Sequence, residues 1–143
     1  MRKALFFLSL LCCNACYANI DERIECTVTY YNNVVFDNMP TSNIDNEEHV
    51  TSVYFDVDNA NKKIYNANKN LIEEAVFTTD TISINWNSTK VPRICILLNK
   101  KDKTIKYKSF IRFAPREIGN TGQYTPASTM KTNGHGVCKY KKI

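Results

Sequence analysis

His49 and His135 are the only imidazoles in the 143 residues, and imidazole is the side chain that titrates near neutrality. With lysines nearby they could serve as the acid and base of a small ribonuclease-like hydrolase. Their settings argue against it: His49 stands at a loop edge in NEEHVT, and His135 in the Gly-flanked GHG turn. No GxSxG, HExxH or P-loop accompanies them. The stretch DVDNANKKIYNA opens like a calcium loop with Asp56 and Asp58, then breaks the pattern. Asn61 stands where Gly is required, and Ala67 where the last carboxylate belongs. A hairpin turn with solvated carboxylates is the better reading, and no metal or other cofactor is expected. Cys95 sits among Ile94, Ile96 and Leu97 with no acid or imidazole beside it. An apolar setting keeps a thiol inert, so Cys95 reads as a small buried hydrophobe.

Charge is distributed unevenly. Residues 19–89 carry four basic side chains against twelve acidic ones, whereas residues 90–143 carry thirteen against two. Such asymmetry can create a local field even where net charge is modest. It is densest in KTIKYKSFIRF, Lys103 to Phe113. Successive strand side chains point to opposite faces, so Ile105, Tyr107, Ser109, Ile111 and Phe113 share one face. Lys106, Lys108, Phe110 and Arg112 share the other and form the candidate binding face. Lys139, Lys141 and Lys142 are candidates to extend it. The competing explanation is that basic strands lie beside acidic ones and neutralise them across the sheet.

The elements that must position these residues read as strands. IECTVTYY, VTSVYFDVD, TISINW and GVCKYKK alternate with period two, and ICILL is apolar throughout. Short Asn- and Lys-rich links, DNANKK and NKKDK, read as hairpin turns. Asn68 to Val76 fits a short helix or a strand, and strand is the expectation taken. Asn32 to His49 and Pro115 to Gly134 read as loops, the second long enough to be functional or flexible. The fold class expected is all-β: a small antiparallel meander, curled sheet or closed barrel.

The chain starts with a basic pair, Arg2 and Lys3, then an apolar run from Ala4 to Cys13 and a small residue, Ala18. That order predicts a cleaved export signal over residues 1–18, and the run is too short to span a bilayer. A single β domain over 19–143 follows, with no later apolar run long enough for a transmembrane helix. Ala15 before Cys16 raises the alternative of lipid attachment at Cys16. Of the six cysteines, Cys26, Cys95 and Cys138 lie beyond the signal. Export predicts an oxidising compartment, periplasmic or extracellular, and hence a disulfide. Cys26 and Cys138 fall on the apolar alternation of the first and last strands, so their pairing would close the meander. NST at Asn87 matches a glycosylation sequon.

YFDVDNANKKIYN, TTDTISINW, CILLNKKDKTIKY and the terminal GHGVCKYKKI together resemble a loose group of small exported bacterial proteins. The group shares an early Cys, a central FxxD hairpin (Phe55 and Asp58 here), an ISW-like strand, a second hairpin and a late GxC (Gly136 and Cys138). That resemblance implies a small β domain with terminal cysteines and no particular activity. The chain is also similar in size and export to periplasmic lysozyme inhibitors, but lacks their paired Ser, Gly and Tyr pattern. The function expected is an exported binding or inhibitory module with an anionic partner, an acidic protein or an envelope polymer. Nucleic acid is the least favoured partner for an exported chain. The alternatives are a secreted hydrolase using His49 or His135 and an envelope protein anchored through Cys16.

Overall fold

The structure, a computed structural model, describes residues 19–38, 47–86 and 93–143. The expected signal, Cys16 and the sequon at Asn87 lie outside the described residues. Eight strands are present: β1 Glu22–Phe36, β2 Glu48–Asp58, β3 Lys63–Asn66, β4 Ala75–Phe77, β5 Thr81–Trp86, β6 Arg93–Asn99, β7 Thr104–Phe113 and β8 Ser128–Lys142. They form one antiparallel sheet in the order β3-β2-β1-β8-β7-β6-β5-β4. Every consecutive pair of strands is adjacent except β3 and β4, and the first strand lies against the last. The all-β expectation holds, and the sheet curls into a nearly closed barrel. Among the described residues no helix is long and apolar enough to cross a membrane.

Inward side chains of the alternating strands make the core. Ile24, Val57, Ile64, Ile82 and Leu98 are fully buried, with Ile84, Ile105 and Phe55 nearly so. β-branched residues dominate because they fit the pleated surface and lose little freedom there. Cys26 and Cys138 stand directly opposite each other in the β1–β8 register and form a disulfide, with their Cα atoms 4.0 Å apart.

Pairing β1 with β8 does not remove the sheet edges, as the closed-meander reading would have it; it moves the break to β3 and β4. These edges are only four and three residues long, which limits the unpaired backbone they present. The chain joining them fills the seam. Leu71 bridges Tyr65, the Ile72 amide donates to the Ile64 carbonyl at 2.9 Å, and the Ile72 side chain enters the core. At the same end Lys100 reaches from the β6–β7 turn to the β2–β3 turn. Its Nζ donates to Asn59 Oδ1 at 2.9 Å and lies 5.7 Å from the centre of the Phe77 ring on β4.

Both hairpin turns form as the sequence predicts. Lys62 and Lys103 adopt left-handed φ values of 54° and 55°, and a polar side chain at the start of each turn accepts bonds from it. Asp58 accepts from the Asn61 amide at 3.0 Å and from its side chain at 2.7 Å. Asn99 Oδ1 accepts from the Lys101 and Asp102 amides, each at 3.0 Å.

Three boundaries differ from expectation. β1 runs on to Phe36, and β2 begins at Glu48, so the first loop is shorter at both ends. β8 begins at Ser128, which takes residues 128–134 out of the expected Pro115–Gly134 loop. Here tertiary pairing overrides weak local preference: Ser128–Asn133 finds partners on both sides, from Phe36 to Tyr31 on β1 and from Phe113 to Lys108 on β7. What remains of that loop carries a small turn bridged between Glu117 and Tyr124, with Gly119 and Gly122 at φ 59° and 70°. Of Asn68–Val76, only Ala75 and Val76 fall within a strand.

Asp56 sets an acid limit on the fold. It is buried on β2 and accepts from Arg23 of β1 at 2.7 Å (Nε) and 3.0 Å (Nη2). The hydrogen bond to Arg23 holds the Asp56 carboxyl below its ordinary range, against the opposing effect of burial. A carboxylate depressed in the folded state contributes stability above its unfolded pKa, and that contribution is lost as pH falls through the folded value. Stability should therefore decline from about pH 4 downward, and Asp56→Asn should make that decline shallower. Urea unfolding of both proteins at pH 6, 4 and 3 checks this. Parallel curves would show that the pair contributes nothing pH-dependent.

Candidate functional site

β7 presents its two faces as the alternation requires. Ile105 and Ser109 are buried on the inside, while Lys106, Lys108, Phe110 and Arg112 are exposed on the outside. The register extends this outer face into a lattice. Lys106 lies between Leu97 of β6 and His135 of β8, Lys108 between Cys95 and Asn133, and Phe110 between Arg93 and Lys131. Lys131 places its Nζ 5.3 Å from the Phe110 ring centre, within the range of a cation–π contact. Phe110, 46 % exposed, thus stands beside one cation in contact and another in register.

Arg112 does not join them. Its Nη1 donates to Asp37 Oδ1 at 2.7 Å and to Thr129 Oγ1 at 2.9 Å, and its Nη2 donates to Asp37 Oδ2. This bond holds the Asp37 carboxyl below its ordinary range. Arg112 is on the expected face, but its charge is matched within the chain. Lys141 is likewise matched, its Nζ 2.6 Å from Glu25 of β1, and Lys139 stands opposite Glu25 in register. Neutralisation across neighbouring strands therefore describes β1–β2, the far end of β8 and Arg112. It stops at the middle of β7. Among the described residues no carboxylate lies within ion-pair distance of Lys106, Lys108 or Lys131.

Topology explains the difference. β6, β7 and β8 all come from the basic part of the sequence, and the sheet order makes them neighbours. The strands that carry carboxylates, β1 and β2, lie beyond β8, and β5 and β4 beyond β6 carry none, so β7 has no acidic strand beside it. Lys131 was missed because residues 128–134 read as loop. The alternation Thr129, Lys131, Asn133, His135, Val137, Lys139 was the available signal.

The remaining candidates separate. His49 is on the inner face at the open end of the barrel, stacked on Tyr30 with ring centres 5.1 Å apart. His135 points outward on β8, in register with Thr29 and Lys106. The sheet lies between the two imidazoles, so they cannot act together on one reacting atom. Cys95 is a free thiol but is not the buried interior residue expected. With ICILL apolar on both alternations, the strand could face either way. Its register partners Asn85 and Lys108 place Cys95 on the outer face, half-buried. Asp56 and Asp58 are occupied by Arg23 and by the turn at Asn61, and no cluster of three or more metal-ligating side chains exists among the described residues.

No family model matches the chain, and no curated protein or solved structure matches it either.

Proposed function

We propose that this chain is a small exported binding module that engages an anionic partner through Lys106, Lys108, Phe110 and Lys131. The observation that carries this reading is the contrast in pairing: Arg23, Arg112 and Lys141 each have a carboxylate, and the three lysines around Phe110 have none among the described residues. Lys106 and Lys108 are two residues apart on one strand, about 7 Å, close enough to act on one anionic surface together. The summed field raises the local concentration of an anionic partner, and the exposed Phe110 ring adds apolar contact area. Export is supported by the order of basic, apolar and small residues at the start of the chain. The Cys26–Cys138 disulfide suits an oxidising compartment. The resemblance to small exported proteins with terminal cysteines points the same way. The partner is an acidic protein or an envelope polymer, bound or inhibited by occupation of its anionic surface.

Chromatography on an immobilised polyanion such as heparin tests the face against mere net charge. The triple variant Lys106→Gln, Lys108→Gln, Lys131→Gln should elute at distinctly lower salt than the parent, because screening acts over about 8 Å at physiological ionic strength. A control of equal charge, Lys62→Gln, Lys101→Gln, Lys142→Gln, should elute close to the parent. Both variants should melt within about 0.5 kcal/mol of it, as surface changes do. Equal losses of retention in the two variants would assign the effect to overall charge and overturn the proposed face.

A further inference from the structure

The inner face of the barrel is filled at one end only. Around the disulfide, inward side chains close the core almost completely, with Ile24, Val57, Ile64, Ile82, Leu98 and Ile105 at 0 or 1 % exposure. Beyond Val28 the filling stops although the β1–β8 ladder continues to Phe36 and Ser128. A cavity of about 340 Å³ opens there between β1, β2, β7 and β8, within the size range of small-molecule sites. No charged side chain lines it.

We propose that this cavity binds a small uncharged ligand with an apolar ring body and one hydroxyl or amine group. The register divides the lining into layers. Val28 and Val53 form the floor; in the next row Tyr30 and Tyr107 stand on either side of Gly134, so the inner face carries two aromatic side chains with none between them. His49 packs against Tyr30 from β2, which gives that ring a fixed support. Flat apolar rings pack well against such aromatic walls. The next layer is polar: Ser109, Thr132 and Asn32 share one row. Ser109 and Thr132 are only 7 and 6 % exposed, and Thr132 Oγ1 donates to Asn32 Oδ1 at 2.7 Å. The Thr132 oxygen retains acceptor capacity, and the Ser109 hydroxyl can donate or accept. A hydroxyl or amine on the ligand satisfies both. A charged group is disfavoured, because the cavity offers no counter-charge for a desolvated ion.

The site is independent of the cationic face, since Ser109 and Lys108 point to opposite sides of β7. It needs the long β1–β8 ladder, which the core alone does not require.

The test uses N-phenyl-1-naphthylamine, an uncharged diarylamine whose emission rises in apolar surroundings, added to the intact disulfide-bonded chain. The expected result is saturable binding of one dye per chain. Met130→Trp and Thr51→Trp, which fill the cavity from β8 and from its exposed β2 rim, should each weaken binding at least tenfold. Ser109→Ala should weaken it about threefold to tenfold, the effect of one lost hydrogen bond. In the triple Lys→Gln background the sulfonated analogue 1-anilinonaphthalene-8-sulfonate should bind at least tenfold more weakly than the uncharged dye. Non-saturable uptake, more than one dye per chain, or equal affinity for the sulfonated analogue would overturn the proposal. So would parental affinity in Thr51→Trp, which remains decisive if Met130→Trp fails to fold.

Discussion

A chain with Cys26→Ser and Cys138→Ser should melt on the order of 10–20 °C below the parent, from a loss of roughly 2–5 kcal/mol. The bridge joins residues 112 apart in sequence, so it cross-links almost the whole described chain. The chain-entropy model gives about 4.7 kcal/mol for a loop of that order, and the effect grows slowly with loop length. Its location adds to the effect. Both sulfurs lie on the inner face among Ile24, Val28 and Ile105, and serine hydroxyls there would need hydrogen-bond partners that the apolar core does not supply. Among the described residues β1 with β8 is also the only strand pairing that joins the β1–β3 half of the sheet to the β4–β8 half, given that β3 and β4 do not pair. Melting of parent and double variant under matched conditions measures this, with the reduced parent as a third sample. A fall of less than about 3 °C would mean that the ladder alone closes the barrel and that the bridge is incidental.

The disulfide was legible because both cysteines sit on the apolar alternation of strands with strong patterning. Parity alone places Cys26 beside Ile24 and Val28, and Cys138 beside Tyr140, on inward faces. The hairpins were legible for a similar reason, since DNANKK and NKKDK combine turn-tolerant residues between alternating runs. Parity fails where a strand is apolar on both sides, which is why Cys95 was placed inside. Its face is decided by the pairing of Asn85 and Lys108 around it, and neither neighbour is local in sequence.

The candidate face was half legible. Alternation put Lys106, Lys108, Phe110 and Arg112 together, but it cannot tell which charge has a partner. Arg112 is matched by Asp37, 75 residues away in sequence, and Lys131 enters from a segment whose alternation is weak and whose composition reads as loop. Whether the basic strands lie beside acidic ones depends on sheet order. Pairing of β1 with β8 leaves β6, β7 and β8 contiguous, and only that order exposes an unmatched cationic lattice. The cavity was not legible at all. It arises where inward positions carry Tyr30, Gly134 and Tyr107 in one row, a juxtaposition of three distant segments.

The curl that produces both the core and the cavity depends on one glycine more than on any other. Gly136 is opposite Val28 in register and on the inner face of β8. A Cβ there would fall 1.9 Å from the Thr27 carbonyl oxygen, 2.8 Å from its carbonyl carbon and 3.0 Å from Val28 Cα. These are backbone atoms, so no rotamer change relieves the clash, and β1 and β8 would have to move apart. Its φ lies outside the left-handed region, so the requirement is for space and not for an unusual conformation. Gly134, one inward position away, meets mainly side chains: Val28 Cγ1 at 2.9 Å and Tyr30 Cβ at 3.1 Å, with the Thr29 oxygen at 3.3 Å. Gly136→Ala should therefore cost about 3 kcal/mol or more, and Gly134→Ala roughly 1–2 kcal/mol. Val137→Ala, on the exposed outer face next to Gly136, should stay within about 0.5 kcal/mol of the parent. Oxidative refolding gives a second readout, because separated strands would hold Cys138 away from Cys26 and leave titratable thiols in Gly136→Ala. Equal stability for the two glycine variants would reject close backbone approach as the cause of the curl. It would leave the curl to the side chains of the core.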